Sequence, residues 1–564
     1  MKKTFKKMLS LVIALALVMA MSITVFASGE TGGETGDTPS TTTHTIKLTA
    51  KADQKETHTY SAYKVFAGTY DTESGQLKGI TWGDGVNGDD LLTALKADTT
   101  VGTAFAGASN AVEAAAVISG FTSDSAEALA VANVIEKNLA TATGSSSEEK
   151  SPYTIEVEGD GYYFIKDTTA ALTEGDTYST FMLQVIGDVD VTTKDSTTSS
   201  EKKVKDINDS TDTAAGELQD SADWDIGDKV PFQLKGTVAD DYDKYEEYYF
   251  AFHDTEGDGL TFDATSSVVV KIDGTQVTTG FVVNTSPDDG HTFDVVFENL
   301  KTTAAHAGSV ITVDYVSELN ENAVIGQEGN PNTSKIEFSN NPNGEQEGTG
   351  TTPDDTVIVF TYRVNVDKVD ENKEPLTGSE FTLYKKVADT GIAGAKKGSV
   401  IKTALLEGNN KIKADALEAD SYYVIVDMVA GSAGTSFEFK GIDDGDYVLV
   451  ETTIPTGYNA WPAEAFTVEA THTTSADIDP DTGKVDGTDD YVLTNLEGGD
   501  LFTDDNGTVT LEAEKADLNT TIVNESGSTL PETGGMGTTL FYVLGAVLVL
   551  GGGVVLISRR RMEA

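Results

Sequence analysis

The chain has no cysteine among its 564 residues. Disulfides are excluded, and so is a cysteine nucleophile. Outside the cell, such a protein draws its durability from packing, metals or some other covalent link. Basic residues are scarce too: 39 Lys and Arg stand against 92 Asp and Glu, a net charge of −53. That balance repels nucleic acid and anionic lipid, so neither is expected as a partner of the mature surface. Histidine is rare, at six residues, and none begins an H-E-x-x-H. G-x-S-x-G and G-K-[ST] are also missing, which removes the usual marks of serine hydrolases and phosphate loops. No enzyme is expected, and no cofactor or metal.

What is present at the two ends fixes the compartment. Lys2, Lys3, Lys6 and Lys7 precede an apolar run over 8–25, and Val25-Phe26-Ala27 offers small residues at cleavage positions. Residues 1–27 therefore read as a secretory signal peptide. Near the other end stands "STLPETGG", Ser528 to Gly535, followed by an apolar run over 540–557 and then Arg559, Arg560 and Arg561. At about 1.5 Å per residue that run matches a bilayer core, with the arginines holding the terminus on the cytoplasmic side.

Between these signals the length suits three domains. Residues 28–44 form a Gly/Thr/Glu linker with no apolar period. From 45 onward, "THTIKLTA", "YSAYKVF", "YTIEVEG" and "GYYFIKD" alternate apolar and polar residues, as half-buried strands do. "DDLLTALKAD" and the Ala-rich stretch over 104–142 are helical in composition. There Asp124 and Glu127 read as an N-cap and its reciprocal partner, ahead of Ala128, Val131, Ile135 and Leu139 on one face. The expected fold class is all-β: tandem β-sandwiches over 45–195, 196–345 and 346–529, the first with a helical insertion. Asp477, Asp479 and Asp481 alternate like a calcium loop, but Gly483 falls one place late and Thr488 stands where a bidentate Glu belongs. A solvated acidic turn is the reading.

The chemistry left to consider is lysine on strands. In "YRVNVDKVDENK", Val364, Val366 and Lys368 share one strand face. An inward lysine is costly unless its charge is paired or lost; the plain alternative is an edge lysine that snorkels. "GDYVLVETTIPTGY" puts Glu451 on a strand, and "NTTIVNESGS" puts Asn524 on the last one.

Two resemblances follow from these residues. Leu530, Pro531, Glu532, Thr533 and Gly534, ahead of an apolar span and a short basic tail, resemble the cell-wall sorting signal of Gram-positive surface proteins. The resemblance implies cleavage by a sortase between Thr533 and Gly534, with the Thr533 carboxyl passed to an amine. Lys368, Glu451 and Asn524 resemble the trio of the Cna B-type domains of pilins and adhesins. There Lys and Asn join in an internal isopeptide bond and Glu acts as the catalytic acid. Asn495 in "DYVLTNLEG" is the alternative partner, because the stretch from Glu451 to Asn524 is long for such a domain.

The middle block resembles an A-type isopeptide domain of fimbrial shaft proteins. "SSEKKVKD" points to Lys202, "FAFHDTEGDGLTF" to Asp254 as the acid, and "GNPNTSKIEFSNNPN" to Asn332, with Asn340 the runner-up. No trio is assigned in the first block. "VDVTTKD" partly matches the pilin motif V-x-V-Y-P-K at Val189, Val191 and Lys194, with Thr192-Thr193 in place of Tyr-Pro and no upstream Trp. Lys194 is thus the expected intersubunit acceptor, against the plainer reading of a solvated linker lysine.

Taken together the chain resembles the major (backbone) subunit of sortase-assembled Gram-positive pili. The resemblance implies a structural, wall-anchored shaft subunit joined head to tail through Thr533. Its partners would be a sortase, further copies of itself, minor pilins and peptidoglycan. The competing class is a monomeric adhesin, or a minor tip or base pilin, whose partner is a host surface molecule.

Overall fold

The computed structural model describes residues 42–527 apart from short internal stretches, among them 123–124, 194–196, 343–347 and 503–510. The expected signal peptide, Lys194, the expected sorting motif and the apolar run at 540–557 lie outside the described residues. Among the described residues no helix is long and apolar enough to cross a membrane.

The fold is all-β in class, with few helices, and its sheets come in face-to-face pairs. In the first block a three-stranded sheet (Thr43–Thr49, Tyr153–Glu158, Val189–Thr192) faces a larger one that contains Tyr60–Asp71, Gly161–Asp167 and Thr180–Val185. Ile46, Leu48, Tyr60, Ile155, Tyr163 and Val185 fill the space between them. Four helices cover the other face of the larger sheet. Helix Gly88–Ala97 buries Leu91, Leu92 and Leu95, and helix Ala126–Glu136 buries Ala128, Val131 and Ile135. The second of these starts one residue later than Asp124 would place it. Its N-cap is Ser125, whose Oγ accepts from the Ala128 N–H at 3.2 Å. A serine at this position satisfies the same orphan donor as an aspartate would. Leu139 lies beyond the helix end, bridged to Val86.

The second block is a pair of seven-stranded sheets around one aromatic-rich core that includes Phe232, Phe250, Phe293, Tyr315 and Phe338. Period two is easiest to follow in strand Val310–Leu319, where Ile311, Val313, Tyr315, Ser317 and Leu319 are buried and the residues between are not. Two polar side chains therefore sit on an otherwise apolar inward face. Strand Asn330–Ser339 turns Asn330, Asn332 and Ser334 inward alongside Ile336 and Phe338.

In the third block a five-stranded sheet faces a six-stranded one. Strand Tyr362–Asp370 lies between Ser436–Ile442 and Asp517–Asn524, parallel to the latter, so it is interior and not an edge. Helix Gly398–Gly408 packs outside the six-stranded sheet through Ile401. The acidic turn near 480 is a small hairpin in which Asp479 Oδ1 accepts from the Asp481 N–H at 2.9 Å.

The second and third blocks meet at a buried ion cluster. Lys385 Nζ lies 2.8 Å from carboxylate oxygens of both Asp209 and Asp225 and 2.6 Å from Asp443, and its side chain has no exposure. Burial alone would lower the lysine, but Asp225 and Asp443 hold it well above its usual range. Desolvation pushes Asp443 upward. Close by, Gly441 takes φ 78° while Ile226 packs against it; a Cβ here would meet Ile226 at 2.7 Å. Lys385→Met should leave facing acids with no cation between them. The expected loss is about 3–5 kcal/mol of stability, read in thermal or denaturant unfolding of the ectodomain.

Candidate functional site

The structure gathers the middle-block residues Lys202, Asp254 and Asn332 around one phenol. Each is buried with no exposed surface. Lys202 comes from strand Ser199–Lys205, Asp254 from Phe250–Glu256 and Asn332 from Asn330–Ser339, so both sheets contribute. Lys202 Nζ donates to Asp254 Oδ2 and to the Tyr315 hydroxyl at 2.9 Å. The Tyr315 O–H donates to Asp254 Oδ2 at 2.8 Å and accepts from Asn332 Nδ2 at 3.0 Å. Among the described residues the Asn332 carbonyl oxygen has no hydrogen-bond partner.

The electrostatics follow from burial. Desolvation lowers Lys202 against the opposing pull of Asp254, and raises Asp254 against that of Lys202. Both shifts favour the uncharged pair, and an uncharged amine is a nucleophile. Tyr315 is pushed well above its ordinary value by the same desolvation, so it stays a hydrogen-bond donor. Glu256 stands on the same strand as Asp254, opposite Asn332 in register, and burial raises it to about 7. Its Oε1 accepts from the Ser317 hydroxyl. Asn340 is also fully buried, but its Nδ2 donates to the Leu172 carbonyl of the first block at 3.1 Å. It serves the junction and not the Lys202 cluster.

The third block repeats the composition with different scaffolding. Lys368 and Glu451 come from facing sheets, and Asn524 from the strand that pairs with Lys368's own. Exposure is 0% for Lys368 and 1% for Glu451 and Asn524. Glu451 Oε1 accepts from Asn524 Nδ2 at 2.8 Å and from Ser379 Oγ at 2.9 Å, and Oε2 accepts from the Trp461 N–H at 2.9 Å. Lys368 Nζ donates to the carbonyls of Val369 and Ile522, at 2.8 and 3.0 Å. Desolvation pushes Lys368 down to about 8 even though Glu451 opposes it. Among the described residues the Asn524 carbonyl oxygen, like that of Asn332, has no partner. Asn495 is elsewhere, on strand Leu493–Glu497, with its Nδ2 bound to Glu497 at 2.6 Å.

Tyr315, Glu256, Ser379 and Trp461 were not singled out in the sequence. The signal for Tyr315 was available, as a polar side chain on the inward register of "SVITVDYVSELN". Ser379 and Trp461 are brought to Glu451 by loops or strand ends that no periodicity marks.

Parts of the chain match known protein families. Residues 362–482 match the SpaA prealbumin-like fold domain, and 522–564 match the LPXTG cell wall anchor motif. The trypsin-resistant surface T6 protein of Streptococcus pyogenes serotype M6 is 25% identical over 366 residues, 55% of this chain and 60% of that protein. The chain resembles major pilins. It also carries the anchor motif of a wall-attached Gram-positive surface protein. Among solved structures, the T6 backbone pilin of Streptococcus pyogenes covers 86% of this chain and 99% of its own, at 18% identity and a TM-score of 0.48. The major pilin SpaD of Corynebacterium diphtheriae covers 86% and 97%, at 15% identity and 0.40. The chain thus spans less than two thirds of the curated relative it matches, 60% of its length.

Proposed function

We infer that the chain is the shaft subunit of a covalently polymerised surface pilus, braced by an internal isopeptide bond in each of its second and third blocks. The observation that carries this reading is a repeated one. In both blocks a fully buried lysine lies beside an acid and a buried asparagine whose carbonyl oxygen has no partner among the described residues. An orphaned buried carbonyl costs about 1–3 kcal/mol. A buried lysine costs more unless its charge is neutralised. Reaction turns the lysine amine into an uncharged amide nitrogen and so removes the lysine's liability, while the carbonyl oxygen carries over into the new amide.

The chemistry balances as an amide exchange. Lys368 Nζ attacks the Asn524 side-chain carbonyl carbon, a C–N bond forms, and the Asn524 nitrogen leaves as ammonia. Glu451 would carry a proton from the amine to the departing nitrogen. Folding supplies proximity, so no diffusing reactant is needed. In the middle block Lys202, Asp254 and Asn332 take the same parts, with Tyr315 as a positioning residue that touches all three.

Polymerisation is a separate step. A sortase would break the Thr533–Gly534 peptide bond and join the Thr533 carbonyl to a lysine amine of the next subunit, releasing the segment that begins with Gly534. A head-to-tail contact of this type does not close on itself and grows as a fibre. Immunoblots of wall extracts test the reading. A ladder of high-mass, SDS-resistant bands is expected; a single band at subunit mass would return the protein to the monomeric adhesin class.

A further inference from the structure

The strand that carries Asp254 on its inner side carries His253 on the other, since neighbouring strand residues face opposite ways. Asp294 lies directly across from His253 on the antiparallel strand Phe293–Phe297. The turn entering that strand supplies Asp289 and His291. One donor atom from each of these four residues lies within 4.8 Å of all the others. His253 Nδ1 is 2.7 Å from Asp294 Oδ1, and His291 Nδ1 is 3.1 Å from the same oxygen and 3.2 Å from Asp289 Oδ1. The two imidazole centroids are 4.5 Å apart. Side-chain exposure is 8% for His253, 6% for Asp294 and 15% for His291, while Asp289 is open at 54%.

We propose that His253, His291, Asp289 and Asp294 form a binding site for a divalent transition metal of the zinc class. Two imidazoles and two carboxylates are a complete tetrahedral donor set for zinc, at bond lengths of about 2.0–2.2 Å. Ligand atoms at the corners of such a tetrahedron stand about 3.3 Å apart; the two distances from His291 Nδ1 lie close to that spacing, and the His253–Asp294 contact, at 2.7 Å, would open by about half an ångström on binding. Calcium is a poor fit, because it takes six to eight oxygens and this cluster offers nitrogen at two corners.

The alternative occupant of the space is a proton network. Carboxylates only accept, so every ring nitrogen that faces one must carry a proton. His253 faces Asp294 through Nδ1 and Glu337 through Nε2, the latter at 3.3 Å. A metal takes the place of the Nδ1 proton and leaves the Nε2–H on Glu337, the outer hydrogen bond that metal-bound histidines ordinarily keep. The ion would pin the turn before Phe293 to the sheet from outside, on the face opposite Lys202. A cysteine-free extracellular protein would gain by it a non-covalent brace of a kind that oxidation state does not affect.

The test uses the mature ectodomain stripped of metal with a chelator and titrated with zinc by calorimetry. Cobalt(II) serves as the spectroscopic probe. One zinc site is expected that disappears in His291→Ala and in Asp289→Ala, with the strong visible absorption of four-coordinate cobalt lost in the same variants. Zinc should raise the melting temperature by mass action, whereas calcium should leave it unchanged. Glu337→Gln should weaken zinc by about 10–100-fold. His306→Ala, which touches Asp273 and none of the four ligands, should bind as wild type. Because His291 and Asp289 sit on a turn, metal-free melting of their variants checks that the fold persists. Absence of zinc binding in the wild type, or binding unmoved in both His291→Ala and Asp289→Ala, would overturn the site.

Discussion

Glu451→Ala is expected to leave the third block folded and uncrosslinked. The intact mass of the wild-type ectodomain should fall below its sequence mass by about one ammonia, roughly 17 Da, for each bond formed. Two bonds are proposed, so the variant should regain one ammonia and keep the other deficit. Lys368 and Asn524 remain in place in that variant, with register pairing Lys368 to Ile522 and Asp370 to Asn524 still fixing the two strands. What disappears is the proton carrier.

Stability should fall as well, for two separable reasons. The bond would close a loop of roughly 150 residues, worth about 5 kcal/mol through the entropy of the unfolded chain. Removing the carboxylate also strips partners from Asn524 Nδ2, Ser379 Oγ and the Trp461 N–H, at about 1 kcal/mol or more each. Lys368→Ala separates the two, because it abolishes the bond but keeps the Glu451 hydrogen bonds. Its melting temperature should therefore lie between those of wild type and Glu451→Ala. An unshifted wild-type mass would sink the isopeptide reading in both blocks. A tryptic crosslink between Lys368 and Asn524 that survives in Glu451→Ala would show that this glutamate is not the proton carrier.

How far the sequence reaches into this fold depends on the range of the contacts involved. Strand alternation is local, so the sheets and the inward side of "YRVNVDKV" are legible from period two alone. The lysines stand out because a charge on an apolar face breaks a strong pattern. Asn332 is favoured locally by its place at the start of a strand, although Asn340 is buried at an inward position of the same segment. Their partners separate them fully: Tyr315 reaches Asn332, and Leu172 of the first block reaches Asn340. The Lys385 cluster is illegible for the same reason: its acids come from Asp209, Asp225 and Asp443, far apart in the chain and joined only where two blocks meet. Helix capping failed by one residue because Asp124 and Ser125 are both good caps; the backbone geometry that selects between them is not written in composition.

Lys194→Ala is expected to abolish the high-mass ladder while leaving a folded monomer attached to the wall through Thr533. The structure limits which lysine near the end of the first block can serve as acceptor. Strand Val189–Thr192 pairs in parallel with Thr43–Thr49, and Thr193 is buried at 2% exposure. The chain is therefore held by the sheet up to the residue before Lys194. Two nearby competitors are engaged. Lys202 has no exposed surface and faces Asp254. Lys203 is ion-paired to Asp220, which helps hold it above its usual range although burial pulls it down. A charged amine tied to a carboxylate is a poor nucleophile for an acyl-enzyme. Lys205 lies in the same paired strand, opposite Leu218. The replacement of Tyr-Pro by Thr192-Thr193 removes a stiff, apolar approach to the lysine, so efficiency could differ from that of a full motif while the acceptor stays the same. The measurement is an immunoblot of wall extracts with linkage mapped by mass spectrometry. A persistent ladder joined through another lysine would move the acceptor and keep the shaft. Loss of wall attachment together with the ladder would mean that Lys194→Ala had damaged export or folding, and a Lys194→Arg variant, which keeps the charge but lacks the nucleophilic amine, decides between these outcomes by remaining monomeric and wall-bound.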